Sequence, residues 1–378
     1  MCYLLVVASS GRMLAQAAKN HGYPVLVIDL FADQDTQVYA SDVIKVPSLA
    51  EEQIARAWAF LSKKYPIRQA IYGSGLEYYP DSLIFLSQRL LLLGNTPEVF
   101  ARLQNKVDFF AVLSALHIPY PAVSFKPPTS PGNWLLKPRQ GQGGLGIKPY
   151  RAQDVPAMGD YWQRYQPGTP QSVLFLANTQ HAYVIGFNTQ WTVPLDNEQP
   201  FIFSGIINSS STLTPALKSL LHETLQKLVP AFGLKGLNSM DFIQHGEVIY
   251  VLEINPRLPA SMQLYEAPLL QQHIEACQGN LPNKPYQQTD VCGYQIIYAP
   301  QDGKIPHTMY WPKGCVDLPP TGVCYRKTQP ICSMIARHNS PERVLWELQR
   351  IQQQLFNQLN LGSALCNTQQ ASTHFLNP

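Results

Sequence analysis

The stretch "VIYVLEINPRLPAS", residues 248–261, restricts the fold more than any other part of the chain. It is rich in apolar and β-branched residues, as a strand requires, yet Glu253, Asn255 and Arg257 interrupt it at every second position. Side chains alternate across a strand, so Val251, Glu253, Asn255 and Arg257 are expected on one face, with Tyr250, Leu252 and Ile254 on the other. A buried carboxylate must meet a cation or take up a proton. Arg257 could be that cation in a purely structural ion pair. Against this, Asn255 adds a further oxygen-bearing group, and the "NPR" end opens the face to a cleft.

The preceding residues sharpen the case. "NSMDFIQHGEVIYVLEIN" reads as a hairpin with its turn near His245–Gly246. With Gly246 at the centre of a three-residue loop, Asp241 falls opposite Val251 and becomes a diagonal neighbour of Glu253, at roughly 7–8 Å. A two-residue turn would slip the register by one and send Asp241 to the other face. Two carboxylates and an amide oxygen are hard ligands that suit Mg²⁺ better than zinc, and such a Mg²⁺ completes its shell with water and nucleotide phosphate. Asp241, Glu253 and Asn255 are therefore the candidate metal ligands, with Arg257 beside developing negative charge.

A second motif, "LLKPRQGQGGLGI" (residues 135–147), carries a glycine-rich loop between two strands. A dinucleotide fingerprint would be followed by a helix, so that reading is excluded. A hairpin loop with Gly141, Gly143, Gly144 and Gly146 can instead lay bare N–H groups over phosphates. Lys137 on the incoming strand supplies a cation, and Lys106 at a helix start adds another. The turn in "YWQRYQPGTPQSVLFLANTQ" lies between two β segments and fits an adenine-clamping hinge.

Residues 1–95 alternate strand and helix, which predicts a doubly wound parallel sheet whose working edge carries the Ser9–Arg12 and Gly73–Glu77 loops. Glu77 reads as an exposed loop carboxylate. A helix in this part is expected to end in "LLLLGNTP". Thr96 then caps a helix with Pro97 in its first position, and "KVDFFAVLSALHI" forms the next, with Phe109, Val112, Leu113 and Leu116 on its apolar face. Residues 96–284 form a second domain, with a lid at about 130–162. A helix is expected over about Pro215–Pro230. Residues 285–362 form a β-rich third domain with a helix capped by Ser340, and 363–378 a disordered tail.

Charged residues make up only 14% of the 378-residue chain, the formal charge is +3, and there is no basic run, so nothing points to nucleic acid. The apolar N-terminus lacks a basic flank and reads as a core strand, and no stretch reaches the ~20 apolar residues of a membrane span. A cytoplasmic protein is the expectation. The seven cysteines are scattered without a CxxC pair and read as idle thiols.

Taken in order, these motifs resemble the ATP-grasp superfamily over essentially the whole chain. The family's lysine at a helix start is matched by Lys106, and its strand lysine before a mobile glycine loop by Lys137 with Gly141–Gly146. Its hinge for adenine and ribose is matched by Gln163, Arg164 and Gln166, although Gln163 stands where the family commonly has Glu. Its acidic residue and Glu-x-Asn-x-Arg row are matched by Asp241, Glu253, Asn255 and Arg257. The resemblance implies a Rossmann-like pre-ATP-grasp domain, an ATP-grasp fold and a C-terminal β-rich domain like that of members related to biotin carboxylase. It also implies ATP and two Mg²⁺ ions (Mn²⁺ as a substitute), and transfer of the γ-phosphate to a carboxylate that an amine then attacks. "SGLEYYP", "LGNTPEVF" and "PICSMIAR" resemble a carboligase-like subgroup that includes a tyramine–glutamate ligase.

The expected function is thus an ATP- and Mg²⁺-dependent carboxylate–amine ligase acting on small molecules, as a homodimer on base rates. A biotin-type carboxylase component is one alternative, although the chain has no Met-Lys-Met carrier segment of its own. A nucleotide sensor without turnover is another. Ser261, Gln263, Glu266, Glu77 and the Ser9–Arg12 loop are candidate acceptor contacts.

Overall fold

The computed structural model describes residues 2–129 and 132–361, so the expected tail lies outside the described residues. The first β-branched runs form a five-stranded parallel sheet from β1 (Tyr3–Val7), β2 (Val25–Asp29), β3 (Asp42–Lys45), β4 (Ile67–Tyr72) and β5 (Leu91–Leu92), in the order β3-β2-β1-β4-β5. Its helices are α1 (Arg12–Asn20), α2 (Gln34–Tyr39), α3 (Glu51–Lys64) and α4 (Pro80–Ser87). Both faces are covered, as a parallel sheet requires. Leu5, Val7, Leu26 and Ile28 share a core with Ile54, Leu61 and Leu83 of α3 and α4. Leu4, Val6, Val25 and Val27 pack with Leu14 and Ala18 of α1 and continue into the core of the next domain.

One local expectation fails here. The helix before "GNTP" stops at Ser87, and Leu91–Leu92 instead add the fifth strand against Gln69 and Ala70. The six-residue α2, with Asp, Thr and Val among its residues, carries little helical signal of its own; contacts from the C-terminal segment fix it, including Gln34 N to Leu318 O at 2.8 Å.

Thr96 and Pro97 start α5 (Pro97–Gln104), the Thr96 hydroxyl accepting from the Val99 amide, and α6 (Lys106–Ala115) follows with Phe109 and Leu113 buried. A four-stranded antiparallel sheet comes next, in the order β6 (Val123–Ser124), β9 (Tyr161–Arg164), β7 (Trp134–Lys137), β8 (Lys148–Pro149). The glycine loop joins β7 to β8, within the stretch expected to form the lid.

The chain then builds one eight-stranded sheet. Its strands are β10 (Thr169–Asn178), β11 (Ala182–Val193), β12 (Ile202–Ile207), β13 (Lys235–His245), β14 (Val248–Asn255) and β15 (Val291–Tyr298). The short β16 (Gly303–Lys304) and β18 (Cys324–Tyr325) pair apart from it, while β17 (Cys315–Val316) and β19 (Pro330–His338) complete it. The order β14-β13-β10-β11-β12-β15-β19-β17 means that the strands after residue 285 extend the central sheet through β12 and β15. One face of the sheet packs on α6 and α7 (Pro215–Phe232) through Phe109, Phe175, Leu225, Met240 and Phe242. The opposite face meets the first domain and α8 (Leu269–Cys277), with Leu174, Leu237 and Leu270 in that core. The last helix, α9 (Pro341–Gln358), is capped by Ser340 as expected and buries Leu348 and Ile351 against β15 and β19. No helix among the described residues is long and apolar enough to cross a membrane. The six cysteines among them are free, and Cys366 lies outside them.

Candidate nucleotide and metal site

The polar row is held by β13 and β14, and their register departs from the expected one. His245 pairs with Val248, so the turn has two residues, Gly246 and Glu247, instead of three. That turn alone would put Asp241 on the wrong face, and from Phe242↔Val251 to the turn the register is indeed the slipped one. A β-bulge between Asp241 and Phe242 reverses the effect. Leu252 is the extra residue, and Asp241 stands directly opposite Glu253 rather than diagonal to it. The bulge also moves Val251 off the polar row and into the core with Ile249, Ile254, Met240 and Phe242.

Around this pair the side chains interlock. Asn255 Nδ2 donates to Asp241 Oδ2 at 3.0 Å, and Gln190 Nε2 on β11 donates to Asp241 Oδ1 at 3.0 Å. Burial, together with the facing Glu253, pushes the Asp241 carboxyl up to about 7. Two acids held this way favour a positive charge between them. Lys106 at the first position of α6 lies 3.8 Å from Glu253 Oε2. Lys137, only 8% exposed, donates to Gln163 Oε1 at 3.1 Å, and burial lowers its ammonium pKa against the opposing pull of Glu253 and Asp241.

Arg257 is engaged by Glu77 of the first domain, Nε to Oε1 at 2.5 Å, and donates through Nη2 to Asn255 Oδ1 at 3.2 Å. The structural alternative, an Arg257–Glu253 pair, is therefore not the one formed. Glu77 corrects an expectation as well. It is 6% exposed, and its second oxygen accepts from the Gly75 amide at 2.6 Å.

The glycine loop closes over this row. Phe203 N donates to Gly143 O at 2.9 Å, which pins the loop to β12. Gly144 has φ +81°, and a Cβ there would lie 1.9 Å from Phe201 O, so only glycine fits. The N–H groups of Gly141, Gly143 and Gly144 donate to no protein acceptor among the described residues. Beneath the loop is a cavity of about 60 Å³, lined by Lys106, Lys137, Gly141–Gly144, Tyr161, Glu253 and Asn255. It has room for a few waters, so a nucleotide enters only when the loop swings away.

The structure thus brings together Lys106, Lys137, Gly141, Gly143, Gly144, Gln163, Asp241, Glu253, Asn255 and Arg257. Arg164 points outward and is exposed, and Gln166 bonds to the Pro167 carbonyl away from the cavity. Asn255 offers its N–H to Asp241 and its carbonyl oxygen to Arg257, so Asp241 and Glu253 are the better oxygen donors to a cation. Two facing carboxylates beside bare loop amides fit a phosphate-bound Mg²⁺, which needs only one or two protein carboxylates.

The acceptor candidates are mostly paired across domains. Arg12, 2% exposed, bonds Asp317 at 2.9 Å and Gln263 at 2.8 Å; burial raises the Asp317 carboxyl, but Arg12 outweighs it and leaves it below its usual value. Ser261 is buried, and the exposed Glu266 pairs with Arg337 at 3.4 Å. Sequence reasoning missed Gln190. Its signal was available in "GFNTQW", where Asn188 and Gln190 put two amides on one strand face.

A model of the ATP-grasp domain family matches residues 103–261, which hold every candidate nucleotide and metal residue above. An uncharacterized protein of Methanocaldococcus jannaschii is 24% identical over 265 residues, spanning 66% of this chain but only 64% of that relative. In fold, the chain is similar to biotin carboxylase from Campylobacter jejuni, solved as a β,γ-ATP complex, with TM-score 0.74 and 15% identity over 93% of this chain and 91% of that one. The biotin carboxylase domain of Hydrogenobacter thermophilus 2-oxoglutarate carboxylase, in complex with MgADP, ADP and bicarbonate, gives TM-score 0.73 and 15% identity over 93% and 90%. N5-carboxyaminoimidazole ribonucleotide synthetase from Thermus thermophilus gives 0.68 and 14% over 93% and 98%.

Proposed function

We propose that this chain, whose residues 103–261 match the ATP-grasp domain model, is a member of the ATP-grasp superfamily and an ADP-forming ligase that joins a small-molecule carboxylate to an amine. The observation that carries the reading is the facing pair Asp241–Glu253, ringed by Lys106, Lys137 and Arg257 under a glycine loop with free amides. Phosphoryl transfer needs positioning and charge neutralisation more than covalent groups, and this set supplies both. Asp241 and Glu253 would hold Mg²⁺, which would offset the negative charge of the triphosphate.

Lys137 and the Gly141, Gly143 and Gly144 amides hold the triphosphate, and Lys106 keeps Glu253 oriented toward it. Gln163 fixes Lys137 through its side-chain oxygen, and the buried β9 strand leading into the hinge carries the adenosine end. Arg257, with N–H groups left over from Glu77 and Asn255, steadies the transferring phosphoryl and then the tetrahedral intermediate. Closure of the glycine loop keeps water from the acyl phosphate, so that the amine is the group that attacks it.

The test is ADP release from Mg–ATP on adding panels of carboxylic acids and amines, with Arg257→Ala as control. Release that needs both an acid and an amine, and is lost in the control, supports the ligase. Release with bicarbonate alone favours a carboxylase component, a reading that the likeness in fold to biotin carboxylase keeps in view. Tight Mg–ATP binding with no release by any acceptor favours a sensor.

A further inference from the structure

The ion pair between Arg257 and the first domain has a geometry that a fold-stabilising contact does not need. Glu77 sits in the 3-10 turn Leu76–Tyr78, and two hydrogen bonds and the conformation of Gly75 fix that turn. Glu77 Oε2 accepts from the Gly75 amide, Gln104 Nε2 donates to the Glu77 carbonyl at 2.9 Å, and Gly75 takes φ +107°, where a Cβ would fall 2.2 Å from Ser9 Oγ. The carboxylate is therefore aimed before Arg257 meets it. It takes the Nε–H, the one donor at the stem of the guanidinium, while Asn255 takes an Nη2–H. The outer edge of the fork has no protein acceptor among the described residues. With both side chains near 10% exposed, the guanidinium plane is held from behind and its free edge is left to an anion.

The next residue touches the lid. The Tyr78 phenolic oxygen lies beside the loop, 3.7 Å from where a side chain at Gly141 would begin. One three-residue turn of the first domain thus contacts both Arg257 and the closed glycine loop.

We infer that Glu77 is a positioning residue that sets the plane of Arg257, and that Tyr78 latches the closed glycine loop to the same turn, so that lid closure and Arg257 orientation are coupled through the first domain. The inference rests on the ligase reading, in which Arg257 meets the reacting phosphoryl. It assigns the first domain a part in the phosphoryl-transfer step itself.

The full chain tests it without knowledge of the natural acid, because the first half-reaction runs backward. Mg–ADP and acetyl phosphate give ATP and acetate: the bond from phosphorus to the acyl oxygen breaks, and one to the terminal ADP oxygen forms. A misplaced group near the reacting centre costs about 100-fold in rate. Glu77→Gln is expected to lower kcat by about that factor, leave calorimetric Mg–ADP affinity within about twofold, and be partly rescued by Glu77→Asp. In an Arg257→Ala background, Glu77→Gln should cost nothing more, because Glu77 acts only through Arg257. A second measurement uses Tyr78→Phe, a change at a partly exposed side chain. Hydrogen exchange of residues 140–146 with Mg–ADP bound should be several-fold less protected than in the parent protein. Losses of Glu77→Gln and Arg257→Ala that multiply overturn the positioning role, and unchanged loop protection in Tyr78→Phe overturns the latch. A parent protein that binds no Mg–ADP, or an Arg257→Ala variant that turns over normally, overturns the ligase reading beneath them.

Discussion

Asp241 faces Glu253 across β13 and β14 because one bulge, with Leu252 as the extra residue, offsets a turn that is one residue too short. The two carboxylates would otherwise lie on opposite faces of the sheet, and no pair of acids would meet the glycine loop. Asp241→Asn keeps the shape and removes one charge. It is expected to weaken Mg–ATP binding at least about tenfold while leaving ATP binding without magnesium nearly unchanged, since it deletes a hard oxygen ligand rather than a phosphate contact. Isothermal titration with and without magnesium checks this, and equal losses in both conditions would refute a metal role for Asp241.

Lys137 makes the opposite kind of prediction. It is a buried ammonium whose one hydrogen bond is to Gln163 and whose ionisation burial disfavours. Lys137→Met fills the same space and removes the desolvation cost of the buried ammonium, against the loss of its attraction to Glu253 and Asp241, so thermal stability should change little. Mg–ATP affinity should nevertheless fall by about tenfold or more. Melting and binding measured on the same preparation separate the two effects. A variant that melts early and binds normally would make Lys137 a structural residue.

Much of this site was legible because its chemistry follows strand parity. Glu253, Asn255 and Arg257 at alternate positions, and Lys137 before a run of glycines, are patterns that local physics imposes on any chain carrying them. The turn length and the bulge were not legible, because the penalty for a bulge is set by the packing of Phe242 and Val251 against α6 and α7 and not by the residues of the hairpin alone. Glu77 was misread for a similar reason. Nothing in "GSGLEYYP" shows that its carboxylate will be covered by a strand end 180 residues further on. The short strand Leu91–Leu92 and the helix at Gln34–Tyr39 also take their form from neighbours distant in sequence.

Gly144 tests the lid. Its positive φ and its approach to Phe201 O mean that alanine both strains the backbone and blocks the resting place of the loop on β12. The left-handed backbone alone costs an ordinary residue about 1–2 kcal/mol. Gly144→Ala should therefore leave the loop open more of the time. Limited proteolysis at Arg139 should speed up several-fold, and ATP should lose its ability to protect that site. Unchanged cleavage with and without ATP would show that the loop does not close by way of Gly144.

His273 of α8 governs a pH response far from the chemistry. It is 1% exposed; its Nδ1 accepts from the Leu237 amide at 2.8 Å, and Nε2 donates to Leu93 O at 2.9 Å, tying α8 to the central sheet and to the end of β5. Burial holds its pKa down to about 4, below the 6.5 of an unfolded histidine. Between those values the unfolded chain binds more protons than the folded one, so stability rises with pH across this window and is complete above about 6.5. As pH falls from 6.5 toward 4, the protein should lose about 3 kcal/mol from this residue alone, at 1.36 kcal/mol per unit. His273→Gln can still accept from Leu237 and donate to Leu93 but does not titrate in this range. Its denaturant-melting free energy should therefore fall less steeply between pH 6.5 and 4 than that of the parent protein. Parallel pH profiles for the two would mean that His273 carries its proton in the folded state.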